Sequence, residues 1–258
     1  MKQIAAVSLL AASAAFAAPA MATTDSHFSI GFVAQALEYE EDGVLSESTL
    51  QGLEVRFFDR RGYWNGALDL RVMGGTGEYD GDSRANPGST LDEDTSEFLY
   101  EIEYRLGHHA TSWAAPFAGI GYRRWQHDIN GTNGYDRRLE YIYSPVGVQF
   151  DGTFGGRGYW SLYAAYNFLW DGRIKSEFTD AGDMAAPPDG NARNSLSGGG
   201  GFDVSLMLSF ELETGATVGV RPFIRYWDID SSSTHSGTEN VEPEHEITSA
   251  GAYVFFTF

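Results

Sequence analysis

The residues of this 258-residue chain that could do chemistry are a few histidines beside carboxyl or hydroxyl groups and several clusters of like charge. His127-Asp128 and His235-Ser236 each set an imidazole next to a group it could work with, which is where general-base or nucleophilic catalysis would be sought. His127, His235 and His245 share no metal-ligand spacing, and no Gly-rich phosphate loop follows a strand, so the sequence nominates no catalytic residue, no metal site and no cofactor. Asp80-Gly81-Asp82 and Asp92-Glu93-Asp94 could hold Ca²⁺, since hard cations want several carboxylates, but the spacing fits no defined calcium loop. A solvated acidic surface explains them better. Arg123-Arg124 and Arg137-Arg138 flank a loop at 129–135, where clustered guanidinium groups could grip phosphates bidentately or pair with loop carboxylates. The net charge of −19 disfavours nucleic acid as a partner.

The elements that must position these residues are strands. Period-two alternation divides the chain into ten segments, clearest where Phe202, Val204, Leu206, Leu208, Phe210 and Leu212 alternate with Asp203, Ser205, Ser209 and Glu211. In the preceding segment Trp160 and Trp170 bracket a ten-residue apolar face, the pattern of a tilted membrane-crossing strand with an aromatic girdle at each interface. With the apolar face outward, the inward faces carry Arg56, Arg71, Arg105, Arg123, Arg221 and Arg225 against Glu54, Asp69, Glu101, Glu103, Asp203 and Glu211. Balanced signs in a narrow barrel predict a cross-linked ion-pair interior rather than a one-signed pore, with Tyr143, Phe223 and Phe255 filling further space. Connections near Asp59, Gly107, Gly155 and Thr214 are short, while those near Glu41, Asp82, Asn133, Pro187 and Thr234 are mostly long and polar. Pro145 predicts a bulge or an unpaired position.

Both ends of the chain fit an envelope protein. Lys2, the apolar run 4–18 and Ala20-Met21-Ala22 read as a cleaved signal peptide over residues 1–22, leaving a single domain over 23–258. There is no Cys, so nothing depends on an oxidising compartment. After Ala22 no apolar run approaches a spanning helix, so a membrane could be crossed only by a closed sheet. The last strand places Phe258, Phe256 and Val254 on one face and stops on the aromatic.

In that ending, and in the ten alternating segments, the chain resembles bacterial outer-membrane β-barrel proteins, whose final strand typically ends in Phe and is read by the barrel-assembly machinery. The resemblance implies an all-β, antiparallel up-and-down transmembrane barrel of ten strands, with eight as the alternative. It implies both termini in the periplasm of a Gram-negative bacterium and the long loops outside. The Arg pairs would then meet lipopolysaccharide phosphates, and the acidic loops would be solvated or bridged by divalent cations. The omptin-like proteases, ten-stranded members of this class, use two aspartates in the second outer loop and an Asp/His pair in the fourth. Asp80 and Asp82 match the former, but the fourth loop, Asp171 to Asn194, has no His. Lipid A deacylases need His and Ser on the lipid side of a strand, whereas His235-Ser236 lies in a polar loop. The expectation is a barrel with a side-chain-filled lumen and a structural or surface-interaction role, not an enzyme. A narrow porin-like channel is the alternative, and an outer-membrane hydrolase stands behind it.

Overall fold

A computed structural model describes residues 24–82, 90–130, 134–177, 191–196, 198–232 and 243–258. The expected leader, and the loop residues Asp180, Asp183, Asp189, His235, Ser236, Glu239 and Glu242, lie outside them. Eleven strands run in chain order: β1 Thr24–Glu41, β2 Val44–Arg61, β3 Trp64–Asp82, β4 Thr90–His108, β5 Ala114–Ile129, β6 Asp136–Phe154, β7 Gly158–Glu177, β8 Asn191–Leu196, β9 Gly199–Glu211, β10 Thr217–Ile229 and β11 His245–Thr257. All pairings are antiparallel and join sequence neighbours, except that β9 pairs with β7 rather than β8, and β1 pairs with β11 to close the sheet. β8 and β9 both lie against β7, one beside its second half and one beside its first, so together they form a single stave. The result is the expected ten-stave, up-and-down barrel.

The closing seam between β1 and β11 runs on to Phe258. Phe258 N–H donates to the Phe28 carbonyl at 2.9 Å and its carbonyl accepts from Phe28 N–H at 3.4 Å, continuing the β1–β11 ladder past Thr257. The Phe258, Phe256 and Val254 side chains all point out of the barrel. The end that holds Thr24 and Phe258, here called proximal, also holds the short turns 62–63, 109–113, 155–157 and 212–216; the opposite end is distal.

Three loop expectations are corrected at the distal end. The connection after Glu41 is the two-residue turn Asp42-Gly43, with Gly43 at φ 76°, a left-handed conformation that glycine adopts without steric cost. Asp80 and Asp82 belong to β3, and Asp92, Glu93 and Asp94 to β4, where Asp80 stands opposite Asp92. The strands run on well past the apolar band instead of breaking into loops, to 18–20 residues in β1 to β4, β6 and β7. The irregularity expected at Pro145 is present on the β5 side, where the pairing skips Pro145 and Ser144; on the β7 side Pro145 is paired with Asn167, and the register shifts between Ile142 and Tyr143, where β7 carries Trp170 as an extra residue.

Along most strands the apolar face changes sides. In β1, Ile30 and Phe32 point outward and are exposed, while farther along Leu37 and Tyr39 point inward, with Glu38 and Glu40 taking the outer face. β10 does the same: Val220 and Ile224 face out, then Trp227 and Ile229 face in and Asp228 faces out. The exterior is therefore apolar over the proximal half, fitting a hydrocarbon layer, and charged over the distal half, fitting water. The interior is the reverse. A ladder of side chains, Met73, Leu99, Trp125, Leu139 and Ile174, crosses β3 to β7 in one register row and joins Leu37, Leu50, Leu196, Trp227 and Ile247 in a buried apolar core.

Candidate functional site

Among the described residues the lumen is the interior that could hold a path or a ligand, so its chemistry bears on what the barrel can do. Its proximal half holds the charges expected from the alternation. Asp69 accepts from Arg56 Nε at 2.5 Å and Nη2 at 2.8 Å, and from Arg105, whose Nε lies 3.2 Å from Glu103. Glu54 receives Arg71 at 3.1 Å and also Arg221. Glu101 is shared by Arg71 at 3.2 Å, Arg225 at 2.5 Å and Arg123 at 3.6 Å, and Arg225 turns its Nε to Asp203 at 2.9 Å. These eleven side chains form two ion-pair groups side by side, Arg56–Asp69–Arg105–Glu103 and a larger one of Glu54, Arg71, Glu101, Arg123, Asp203, Arg221 and Arg225, and together they span β2, β3, β4, β5, β9 and β10, which is the cross-linking expected when alternate inward residues of facing strands carry opposite charges.

Aromatic rings hold the guanidinium groups in plane. Arg221 lies 4.1 Å from the Tyr253 ring centroid, Arg71 lies 5.0 Å from the same ring, and Arg105 lies 4.8 Å from that of Tyr163. Tyr143 reaches in from β6 to donate to Glu103 at 2.9 Å. Its ring covers Gly121, where a Cβ would come within 2.2 Å of the ring, so any larger residue there would push Tyr143 off the network.

One member of the expected set is absent from this network. Glu211 sits exposed at the proximal rim, 3.4 Å from the Tyr159 hydroxyl, because β9 ends there and leaves no facing wall. Six arginines thus face five carboxylates. Arg123 is held least: its Nε and Nη2 are buried without a hydrogen-bond partner, and its one carboxylate contact is the long one to Glu101. Below the network a cavity of about 660 Å³ opens toward the proximal end, with Arg56, Asp151, Tyr163 and Ser209 among its lining residues.

Distal to the charges come the apolar core and then a second polar layer. Glu97 accepts from Ser48 at 2.9 Å, Thr95 at 2.8 Å, Trp125 Nε1 at 2.6 Å and His127 Nδ1 at 2.7 Å. Burial pushes its carboxyl up, but these donors outweigh burial and hold it below the usual carboxylate range. Arg137 donates to the Tyr39 hydroxyl at 2.7 Å and to Glu41 at 3.0 Å, and Tyr39 donates to Glu41 in turn. His245 receives Tyr141 at 3.1 Å on Nε2 and turns Nδ1 toward the Pro243 carbonyl at 3.3 Å, an arrangement suited to the neutral imidazole. Burial first, and the nearby Arg137 charge second, push its pKa down to about 4. The His127–Glu97 pair has the composition of a catalytic dyad, but both side chains are enclosed by the barrel wall.

The four arginines expected to grip phosphates divide by face. Arg123 and Arg137 point into the barrel and are buried, which corrects their assignment to lipid phosphates. Arg124 and Arg138 face outward, half-buried on the exterior wall. The two members of each pair are strand neighbours, so the pleat must send them to opposite sides.

Among solved structures, the outer membrane protease OmpT from Escherichia coli aligns over 95% of this chain and 99% of its own, at 10% identity and a TM-score of 0.61. The TodX deltaS2S3 mutant monoaromatic hydrocarbon channel aligns at 8% identity and a TM-score of 0.41, over 92% of this chain and 91% of that one. The outer membrane protein OprG from Pseudomonas aeruginosa aligns at 10% identity and 0.37, over 91% and 97%. No family model and no curated protein matches the chain. The likeness to OmpT is one of fold: this chain is a small closed barrel of the outer-membrane type.

Proposed function

We propose that the chain is an outer-membrane barrel of a Gram-negative bacterium, with its proximal end in the periplasm and its distal end outside. Its interior is plugged, and its role is structural or one of surface interaction. The observation that carries this reading is the stacking of two different layers inside one bore, a layer of buried ion pairs and above it a close-packed apolar core. An ion would have to cross both. In planar bilayers the barrel is expected to give no discrete conductance, and stable single-channel steps in the parent would overturn the plugged reading. The proximal cavity favours a second reading, a narrow porin-like channel whose vestibule it would be. That channel would conduct, and Arg221→Ala would change its ion selectivity.

The same reading gives Phe258, Phe256 and Val254 the role of assembly signal for the barrel-assembly machinery. Deleting Phe258 removes both seam hydrogen bonds of that residue as well as the terminal aromatic, so the truncated chain should accumulate in the periplasm; normal outer-membrane insertion would count against it. Divalent cations are proposed as counterions of the acidic distal exterior, where Glu38, Glu47, Glu78 and Asp94 share one cross-strand row.

A further inference from the structure

The larger of the two ion-pair groups carries a surplus of positive charge. Arg71, Arg123, Arg221 and Arg225 face Glu54, Glu101 and Asp203, four cations against three carboxylates, whereas Arg56 and Arg105 are matched by Asp69 and Glu103. A guanidinium enclosed by protein is costly unless an anion balances it. The surplus falls on Arg123. Glu101, its one carboxylate contact at 3.6 Å, already receives Arg71 and Arg225, and Arg123 Nε and Nη2 are buried with no hydrogen-bond partner among the described residues.

Two further unpartnered side chains lie around the same place. Arg123 stands opposite Tyr141 in the β5–β6 ladder and interacts electrostatically with Tyr143 as well. From β10 the Trp227 ring packs with its centroid 5.5 Å from that of Tyr141 and 5.1 Å from that of Tyr143, and its Nε1–H has no acceptor among the described residues. Asn167 shares one register row with Gly201 and Trp227, so no side chain stands between it and the indole, and both of its amide atoms are unpartnered. Tyr143 is the common neighbour, because it pairs with Leu169, the next inward residue after Asn167 on β7. Arg123, Asn167 and Trp227 are each at most 2% exposed. Buried polar groups nearly always find partners, so three unpartnered ones grouped about a single tyrosine point to a shared ligand.

The chemistry of these groups selects the ligand. Apart from the Asn167 carbonyl they are N–H donors, and one of them is charged, which favours an anion. The place is where the ion-pair layer meets the apolar core, among the rings of Tyr141, Tyr143 and Trp227. Aromatic edges are positive and apolar walls replace no hydration shell, so a monatomic anion of weak hydration suits it better than an oxyanion that must keep many hydrogen bonds. We propose that Arg123, Asn167 and Trp227 bind a single halide ion, chloride being the abundant one, which neutralises the surplus charge of the larger group. The proximal cavity is lined by Glu101 and Arg225, the carboxylate that Arg123 contacts and the arginine that shares it, so the ion would enter from the proximal end.

The site is internal, so its test needs no membrane and does not depend on the role proposed above. Urea unfolding of the micelle-held barrel would be followed as sodium bromide replaces sodium gluconate at constant ionic strength. A ligand held only by the folded state raises stability with the logarithm of its concentration beyond the dissociation constant. The parent midpoint should therefore rise with bromide, and bromide-soaked crystals should show an anomalous peak beside Arg123 Nε. Arg123→Gln removes the surplus charge and should lower bromide affinity about tenfold or more through loss of a charge-assisted hydrogen bond. Subtracting its response from that of the parent cancels general salt effects. The exterior variant Arg124→Gln should keep the full response. If Arg123→Gln does not fold, Trp227→Phe keeps an aromatic ring, loses the Nε1 donor and should raise the half-saturating bromide concentration several-fold. A parent response no larger than that of folded Arg123→Gln, or crystals with no bromide peak at Arg123, would overturn the proposal and leave buried water as the partner of these groups.

Discussion

The proximal and distal halves of this barrel solve opposite problems with the same alternating strands. In the proximal half the exterior is apolar and the bore is charged, so folding must bury six guanidinium groups and five carboxylates and pair them against each other. In the distal half the exterior is charged and the bore is filled by Leu37, Leu50, Leu99, Trp125, Trp227 and their neighbours, as in a water-soluble protein. One strand serves both by changing which face is apolar partway along, near residue 37 in β1 and between Ile224 and Trp227 in β10. Stability therefore has two sources here, charge pairing in one half and close packing in the other, and each can be broken separately.

The largest effect should come from orphaning buried charge in the proximal half. Arg225→Ala strips hydrogen-bonded partners from both Glu101 and Asp203, and breaking such a buried pair costs about 3–5 kcal/mol. Urea unfolding of the reconstituted barrel should show the loss, and an unchanged midpoint would mean that water already solvates the network. The matching distal break is Trp227→Ala, which opens a cavity beside Tyr141 and Tyr143 and should cost about 3–5 kcal/mol in the same titration.

The exterior sharpens the contrast. Leu206→Arg on the apolar proximal wall should cost about 2–4 kcal/mol near the bilayer midplane, whereas Glu47→Arg on the distal wall should be close to neutral. A further effect of comparable size is in pH. His245 is held neutral in the folded barrel down to about pH 4, while the unfolded chain takes up a proton near 6.5. Between these values the unfolded state binds more protons, so stability should fall as pH drops from about 6.5 toward 4, by on the order of 2–3 kcal/mol at the acid end. His245→Gln should flatten that part of the pH profile.

Much of this was legible from residue types alone, and the misses have physical causes. Period two placed Leu206, Leu208, Phe256 and Phe258 outward and Arg56, Arg71, Arg105, Arg221 and Arg225 inward, because a strand's faces follow from parity once one residue is assigned. Parity does not say which face is wet, so carrying one assignment along a whole segment hid the inversion and with it the distal core of Leu99, Trp125 and Leu139. The signal was present in Leu37, Glu38, Tyr39 and Glu40, where the apolar parity switches. Acidic runs are poor strand formers and so point to a loop at Asp80 and Asp92, yet the β3–β4 hairpin extends through them with carboxylates directly opposed. Arg123 and Arg137 were grouped with their chain neighbours when only alternate residues share a face.

The inversion itself can be tested most directly on β1. The chain has no cysteine, so single cysteines at 32, 34, 37, 38, 39 and 40 can be read without background. With the barrel in lipid vesicles, cysteines at 38 and 40 should react readily with a membrane-impermeant maleimide. Those at 32 and 34 should be shielded from it and quench against a lipid-borne probe, and those at 37 and 39 should resist both reagents because they are enclosed by the core. Reaction at 37 and 39 with shielding at 38 and 40 would show that one face stays apolar along the whole strand, and would contradict the two-half account.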